Sequence, residues 1–382
     1  MSATLRPEPL TPLQGRPLFV WVLVPHIETT DENLAWYCDF TQSRAEFRRA
    51  FRALGLPWRW QQVTLANHAA VIARIARRAV DHEPVIFNLC DGDESNGVPG
   101  LSVIRELEAH GLRYTGADER FFDGTTSKID MKRDFDRAGV PTAPWEVVAD
   151  DAKSRRGIFQ RLGTPIILKP AVSAGSMGVT TKSVVQTEAE LDEQMERLRE
   201  GYHGWDLTSA GVLAERFVTG REFTTFIVGS HDLPSRRMIY PPVERCFHAA
   251  LPDQERFLSF DRLWGLYETE TPVGGEADED LWQYRPVSRR EAKRIREVSW
   301  AAYAAARGRG YGRVDLRQDA ASGELAVLEV NAQCGLSEDE NYTSIGAILR
   351  FSGKPFSHAV EAILDASASR GRRAARAQAA VA

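Results

Sequence analysis

Oxygen-bearing side chains cluster in two short apolar segments near the C-terminal end of the sequence. Glu329 and Asn331 stand two residues apart in one segment. Arg313 and Asp315 have the same spacing in the other. Side chains two apart on a strand share one face, so each pair projects together. Because hard oxygen ligands without His or Cys suit Mg²⁺ rather than Zn²⁺, the pattern predicts a magnesium site; hydrated positions on two surface hairpins are the alternative.

A small, flexible loop follows a lysine in the middle of the sequence. Lys169 closes an apolar run, and residues 173–178 read Ser-Ala-Gly-Ser-Met-Gly. Backbone N–H groups of such a loop can approach phosphate oxygens, with the lysine as a point cation. The GxxxxGK[ST] pattern of a P-loop is absent, so a plain turn is the alternative for this segment taken alone.

In the N-terminal part of the sequence, up to about residue 116, segments with strand patterns alternate with segments with helix patterns. Residues 18–24 and 84–89 predict buried strands of a parallel α/β domain, in which ligands gather at the carboxyl ends of the strands. The acidic loop 91–100 follows the second strand and is expected to lie at the edge of a site; a solvated acidic turn is the alternative. Residues 231–288 are rich in Pro and aromatic residues and poorly periodic, which is typical of a lid or binding loop.

Length and composition limit the class of protein. A chain of 382 residues suggests two or three domains. The net charge of -5 gives no basic surface for nucleic acid, and no apolar run approaches the roughly 20 residues of a membrane helix. The N-terminus shows no secretion signal, and the four cysteines are widely spaced. We therefore expect a cytoplasmic protein without nucleic-acid or membrane partners.

Six short strings, taken in order, resemble the ATP-grasp superfamily and within it the D-alanine–D-alanine ligase-like group. The resemblance runs from about Pro84 to Leu364. The strings are Ser127-Lys128 through Ala143-Pro144-Trp145, Ile167-Leu168-Lys169-Pro170, Leu213-Ala214-Glu215-Arg216-Phe217, Glu222-Phe223-Thr224, Gly312-Arg313-Val314-Asp315 and Leu328-Glu329-Val330-Asn331.

The resemblance implies a mixed α/β protein with the ATP-grasp fold and three domains. Residues 1–120 would form an N-terminal, Rossmann-like domain with a parallel sheet. Residues 121–216 would form a small central α+β domain, and residues 217–366 the C-terminal ATP-grasp domain with the metal site. The Ala- and Arg-rich tail, 367–382, is expected to be disordered.

The resemblance also implies an ATP site built from both sides of a cleft. Lys128 and Lys169 would hold the α- and β-phosphates, beside the hydroxyl of Ser176. Glu215 would accept from the adenine amino group, and Glu222 would bind the ribose hydroxyls. The residues that would line the adenine edge are Phe217 and Val218.

The implied reaction is ATP-dependent ligation. A carboxylate attacks the γ-phosphate to give an acyl phosphate and ADP, and an amine then displaces phosphate to form an amide. Two Mg²⁺ ions, with Mn²⁺ as an alternative, would be held by Asp315, Glu329 and Asn331. The expected catalytic residues are Arg313, which would stabilise developing negative charge, Gly335, whose N–H would face an oxyanion, and Ser176.

The chain departs from the family pattern just after the metal strand. Glu340 stands where D-alanine–D-alanine ligases are expected to carry a serine that helps to grip a carboxylate. Because like charges repel at close range, we predict a product other than D-Ala-D-Ala, with Glu340 facing a cationic or hydroxyl group. The alternatives are D-alanine–D-alanine ligase itself, a nucleotide-binding homologue without turnover and, for Glu340, a solvent-facing helix start.

The expected partners are two small molecules and a second copy of the chain. The carboxylate and amine substrates would be amino acids or peptide-like compounds, and the resemblance implies a homodimer. Glu28 and Glu94 compete as the ligand of the first substrate's ammonium group. Residues 238–284 would form the loop that closes over the site and keeps water from the acyl phosphate.

Overall fold

Three β-sheets and their helices make up the described part of the chain, and they have the mixed α/β character that the sequence predicts. Residues 261 and 263–280, within the predicted lid, lie outside it. No helix in this part is long and apolar enough to cross a membrane. The computed structural model describes residues 16–29, 39–78, 82–149, 151–173, 175–201, 204–260, 262, 281–341 and 343–381.

The first sheet is parallel and lies in the N-terminal part of the chain. Its strands are β1 (Leu18–Pro25), β2 (Trp58–Val63), β3 (Glu83–Asn88) and β4 (Arg113–Tyr114), in the spatial order β2-β1-β3-β4. The main helices between them are α1 (Thr41–Leu54), α2 (His68–Arg77) and α3 (Leu101–Ala109). Alternate side chains of β1 enter two different cores, since both faces of the sheet are covered.

The second sheet is small and antiparallel, and two helices lead into it. Helix α4 (Glu119–Thr126) ends at Ser127, whose side chain caps helix α5 (Lys128–Ala138) by accepting from the N–H of Asp130. The strands are β5 (Trp145–Val147), β6 (Ile166–Pro170), β7 (Val184–Val185) and β8 (Val212–Arg216), in the order β5-β8-β6-β7. The accompanying helices are α6 (Ala152–Arg155), α7 (Ile158–Leu162) and α8 (Glu188–Glu200).

The third sheet is also antiparallel and carries the long strands. They are β9 (Gly220–Ser230), β10 (Met238–Ile239), β11 (Val243–Phe247), β12 (Trp282–Pro286), β13 (Arg309–Asp319) and β14 (Leu325–Ala332). Their order is β12-β11-β9-β13-β14, with β10 paired to β9. The helices that follow or separate them are α9 (Arg289–Ala305), α10 (Ser344–Ser352) and α11 (Phe356–Val381).

A bulge between β13 and β14 sorts charged from apolar side chains. Asp315 pairs with Glu329, but Leu316 pairs with Val327, so Leu328 is an extra residue. The extra residue lets both Val327 and Val330 enter the core that α9 covers. The acidic side chains are left on the opposite face, and Asp315 is only 8% exposed, which is not the environment of a hydrated hairpin position.

The predicted domain boundaries can be set beside the three sheets. The first sheet lies within residues 1–120, the second within 121–216 and the third within 217–366. The boundaries themselves stay predictions. Helix α11 has the bounds Phe356–Val381, and the expected disorder of the tail, 367–382, also stays a prediction.

Gly310 provides a test of how the third sheet meets the first part of the chain. Its φ is +88°, and an added Cβ would lie 1.9 Å from the carbonyl oxygen of Gly116. Gly323 is a matched control, because its φ is +72° and nothing lies within 4 Å of an added Cβ. We expect Gly323→Ala to lower the free energy of unfolding by about 1–2 kcal/mol, the cost of left-handed backbone, and Gly310→Ala to lower it clearly more. Urea unfolding measures both; equal losses would contradict the close approach.

Candidate active site

A cleft of about 730 Å³ brings together most of the residues that the sequence singled out. Its size is typical of a small-molecule site. The side chains come from strands of the second and third sheets, from helices α4 and α5 and from loops of the first sheet. The predicted residues that line it are Lys128, Lys169, Ser176, Glu215, Phe217, Val218, Glu222, Arg313, Asp315, Glu329, Asn331, Gly335 and Glu340.

Two carboxylates converge on one point at the β13–β14 pair. Asn331 Nδ2 donates to Asp315 Oδ2 and to Glu329 Oε1, at 3.1 Å in each case. Thr224 Oγ1 donates to the other oxygen of Asp315 at 2.7 Å. Convergent carboxylates beside a carboxamide are the oxygen donors that a hard divalent cation takes. The three predicted ligands therefore fit Mg²⁺ by their chemistry and by their shared face of the sheet.

Arg313 places a fixed positive charge beside these carboxylates. Its Nε lies 3.1 and 3.0 Å from the two oxygens of Asp315, and its Nη2 lies 2.8 Å from Oδ2. Burial opposes the charge, but the surrounding groups, chiefly the carboxylates of Asp315 and Glu329, together outweigh burial and raise the pKa of the Arg313 guanidinium. Arg313 is thus a permanent cation in a confined cleft, where it can stabilise negative charge that develops during a reaction.

Glu215 is a buried anion held by two lysines, one of which sequence reasoning missed. Lys132 Nζ lies 2.7 Å from Glu215 Oε2, with the two side chains 1% and 2% exposed, and Lys169 Nζ pairs with Oε1. Burial raises the pKa of Glu215, but the two ammonium groups outweigh it and lower the pKa to about 2. Both carboxylate oxygens are thus engaged within the protein, and the predicted contact with adenine stays a prediction.

The spacing of residues in helix α5 could have predicted that Lys132 is buried. In helix α5 it stands three residues from Ile129 and Phe135, which are buried, so it lies on their face of the helix. A lysine on a buried face needs a counter-charge. The sequence alone does not show which acid supplies it.

Lys128 meets the flexible loop at the start of the same helix. Its Nζ donates to the carbonyl oxygen of Ser173 at 3.0 Å and to the hydroxyl at 3.2 Å. Burial lowers the pKa of Lys128, and the carboxylate of Glu329 opposes this shift. Ser176 has a φ of +61° and donates its hydroxyl to Leu258, a residue of the predicted closing loop. The loop 173–178 thus links a cation to the segment expected to cover the site.

Glu222 is also paired within the protein, by two arginines that the sequence analysis did not assign. Its neighbours across the strands are Arg245 on β11 and Arg317 on β13. Arg245 pairs with Oε1, and Arg317 Nε lies 3.2 Å from Oε2. Arg317 also donates to the carbonyl oxygen of Val218 at 2.7 Å and lies 4.9 Å over the ring of Phe217. Only the strand register reveals this cluster, and the ribose contact of Glu222 stays a prediction.

The three acidic residues predicted for the substrates occupy different environments. Glu28 is exposed and is not among the residues that line the cleft. Glu94 accepts from the backbone N–H of Ser102 at 2.6 Å and so holds the start of helix α3, which accounts for its position without a substrate. Glu340 lines the cleft, but its carboxylate pairs with Arg350 at 2.6 Å.

The acidic run before Glu340 contacts helix α1. Arg49 pairs with Glu338, and Gln42 donates to Asp339 at 3.1 Å. The next helix, α10, begins only at Ser344, so the run is not the helix start that was the alternative for Glu340. These contacts tie the segment after the metal strand to the N-terminal part of the chain.

The family model and the relatives that match this chain all belong to one kind of enzyme. Residues 135–365 match the family described as D-ala D-ala ligase C-terminus. A D-alanine–D-alanine ligase of Xanthomonas axonopodis pv. citri is 28% identical over 317 residues, which are 78% of this chain and 88% of that protein. One of Chromohalobacter salexigens is 26% identical over 327 residues, 80% of this chain and 90% of that protein.

Solved structures of the same kind share the fold. A D-alanine–D-alanine ligase of Bacillus anthracis, complexed with ATP, superposes with a TM-score of 0.63 at 17% identity and covers 94% of this chain and 99% of its own. One from Coxiella burnetii gives a TM-score of 0.62 at 15% identity, covering 95% and 99%. The predicted ATP-grasp fold is confirmed.

Lys132 offers a stability test of the buried ion cluster. Replacing it by Met leaves Glu215 with one lysine in a buried site, so we expect the free energy of unfolding to fall by about 3–5 kcal/mol. Lys293→Met is the matched control, since Lys293 is exposed and lies 4.0 Å from Glu297 on the surface; its loss should stay within about 1 kcal/mol. Chemical denaturation measures both, and a Lys132→Met loss no larger than the control's would show that the cluster does not stabilise the fold.

Proposed function

The chain belongs to the D-alanine–D-alanine ligase family and is an ATP-dependent ligase, and on this premise we propose that it joins two molecules of D-alanine through an acyl phosphate. The observation that carries the reaction class is the convergence of Arg313, Asp315, Glu329 and Asn331 in one cleft with Lys128 and Lys169. The match to relatives along most of both chains supports D-alanine as the substrate.

The expectation of a different product is not supported by these comparisons. It rested on the repulsion between a substrate carboxylate and Glu340. Because Arg350 pairs with Glu340 at 2.6 Å, the acidic charge at this position is balanced within the protein. That pairing removes the main electrostatic objection to D-alanine as the acceptor, and the alternative, a D-alanine–D-alanine ligase, becomes the preferred function.

The first step needs charge neutralisation and positioning. The substrate carboxylate attacks the γ-phosphorus of ATP, the bond to the bridging oxygen breaks, and ADP leaves. Lys128 and Lys169 supply the charges that hold the nucleotide's phosphates, and Arg313 supplies a rigid donor for the transferring group. Asp315, Glu329 and Asn331 would hold Mg²⁺, in the two-ion arrangement expected for this family, and the metal would neutralise phosphate oxygens.

The second step joins the amine to the activated carbon. The amine nitrogen attacks the acyl carbon, the bond from that carbon to the phosphate oxygen breaks, and inorganic phosphate leaves. The backbone N–H of Gly335, at the cleft, is the proposed donor to the oxyanion. The contact between Ser176 and Leu258 supports a role for the closing segment in keeping water from the acyl phosphate.

Homodimer formation and a cytoplasmic location stay predictions. Small-molecule carboxylate and amine substrates agree with the size of the cleft. Sedimentation of the full chain measures the oligomeric state directly.

The substrate assignment is tested by ADP release. We expect ADP and a product with the mass of D-Ala-D-Ala when the full chain receives ATP, Mg²⁺ and D-alanine, and much slower turnover with L-alanine. The control is a panel of other amino-acid pairs. It also tests the expectation, drawn from the sequence, of a product other than D-Ala-D-Ala. ADP release with another pair but not with D-alanine would contradict the substrate assignment while keeping the reaction class. ATP binding without ADP release from any pair would favour the non-catalytic alternative.

Arg313 tests the reaction centre itself. We expect Arg313→Gln to lower kcat by roughly 10²–10³-fold, the usual effect of removing one donor to developing negative charge. Arg309→Gln is the matched control on the same strand, because Arg309 pairs with Asp118 and Asp232 and does not line the cleft. Steady-state kinetics measures both, and similar melting temperatures exclude unfolding. Equal activity of the two variants would remove Arg313 from the mechanism.

A further inference from the structure

Asp91 is a carboxylate that the first sheet presents to the cleft. It follows the buried strand β3 by three residues and lines the cleft together with Lys128 and Arg313. The carboxyl ends of parallel strands are where such sheets place functional groups. The loop that begins at Asp91 was expected at the edge of the site, and none of the predicted roles falls on Asp91 itself.

Asp91 differs from the other acids of the cleft in having no partner. Within the described part of the chain, no other residue donates a hydrogen bond to its carboxylate or forms an ion pair with it, and its side chain is exposed to the cleft. Every other acidic side chain that lines the cleft, within the described residues, accepts a hydrogen bond from another residue or pairs with a cationic side chain. Those acids are Asp93, Glu215, Glu222, Asp315, Glu329 and Glu340.

The groups around Asp91 do not balance its charge. Its charge acts on the titratable side chains of Cys90 beside it, Tyr311 on β13 and Cys334 after β14. Burial raises the pKa of Cys90 and of Tyr311 well above their usual values and that of Cys334 to about 12, so all three are neutral at pH 7. Although the side chain of Asp91 is accessible from the cleft, burial among the residues that enclose the cleft raises its pKa to about 7.

Asp91 and Arg313 line the same cleft. The charges of both groups act on the thiol of Cys334, which lines that cleft as well. Arg313 in turn is bonded to Asp315, the predicted metal ligand. A cation that enters the cleft towards Arg313 therefore meets one carboxylate that is not already paired.

We propose that Asp91 is the base that accepts a proton from the amine substrate before the amine attacks the acyl phosphate, a role that rests on the function proposed above. The substrate ammonium gives one proton to the Asp91 carboxylate and becomes a neutral amine. Its nitrogen lone pair forms the C–N bond, and the C–O bond to phosphate breaks. The second N–H proton leaves with the phosphate, and Asp91 returns its proton to water when the products leave.

A nucleophile that needs no base separates this role from the rest of the reaction. Hydroxylamine is largely unprotonated at neutral pH and converts acyl phosphates to hydroxamates. We therefore compare the full chain with its Asp91→Asn variant, giving each ATP, Mg²⁺ and D-alanine, with and without hydroxylamine. Asp123→Asn is the matched control, since it makes the same change at an exposed position of helix α4.

The expected result is a split between the two products. Asp91→Asn should lower amide formation at pH 7 by roughly 10²–10⁴-fold, the usual contribution of a positioned base, while hydroxamate formation is retained. Asp91→Glu should restore part of the amide rate, and Asp123→Asn should match the unchanged protein. In that protein the amide rate should rise with pH through about 7, because the carboxylate accepts a proton only when it is ionised, and this rise should be absent in Asp91→Asn.

Other outcomes overturn the proposal in distinguishable ways. Loss of hydroxamate and amide together in Asp91→Asn would mean that Asp91 acts in the first step or in folding. A higher KM for the amine with unchanged kcat would reduce Asp91 to a binding group, and no change would exclude it from the reaction. Absence of both products from the unchanged protein would overturn the proposed function and, with it, this role of Asp91.

Discussion

The buried ion cluster of Lys132, Glu215 and Lys169 is the constraint on which the site depends. Its members come from helix α5, strand β8 and strand β6. Lys132 also donates to the carbonyl oxygen of Val327, at 3.1 Å, beside the bulge of β14. One fully buried ammonium group thus joins the second sheet to the strand that carries Glu329. Buried charges are tolerated only when they are paired. Helix α5 and strands β6 and β8 must therefore pack so that their three charged side chains contact one another.

The bulge gives the cluster its chemical consequence. It turns Val327 and Val330 into the same core and leaves Glu329 opposite Asp315, on the face that opens to the cleft. The third sheet therefore has an apolar face against α9 and a face with alternating cations and carboxylates. A protein that moves phosphoryl groups needs this arrangement, because positioning and charge neutralisation supply most of the catalysis. The reaction class follows from this face.

Patterns along the chain predicted the parts of this account that depend on neighbours in sequence. Spacing by two residues placed Glu329 with Asn331, and the apolar runs predicted the long strands. Sequence spacing could not predict that Arg245 and Arg317 pair with Glu222. These arginines lie on two neighbouring strands, and only the register of those strands places them opposite Glu222. The expectation of another product lost its support for a similar reason. It considered the charge of Glu340 alone, whereas the partner of that charge, Arg350, lies on the following helix, α10. Sequence patterns show which groups are present, but the fold decides which of them neutralise one another.

The central claim is that the carboxylate of one substrate is activated as an acyl phosphate. D-Alanine labelled with ¹⁸O in its carboxyl group tests this directly when it is turned over with ATP and the inorganic phosphate is analysed by mass. The account predicts that one ¹⁸O atom appears in each phosphate released, since the carboxylate oxygen that attacks ATP leaves with it. Unlabelled phosphate, formed at the same rate as the amide, would contradict the account.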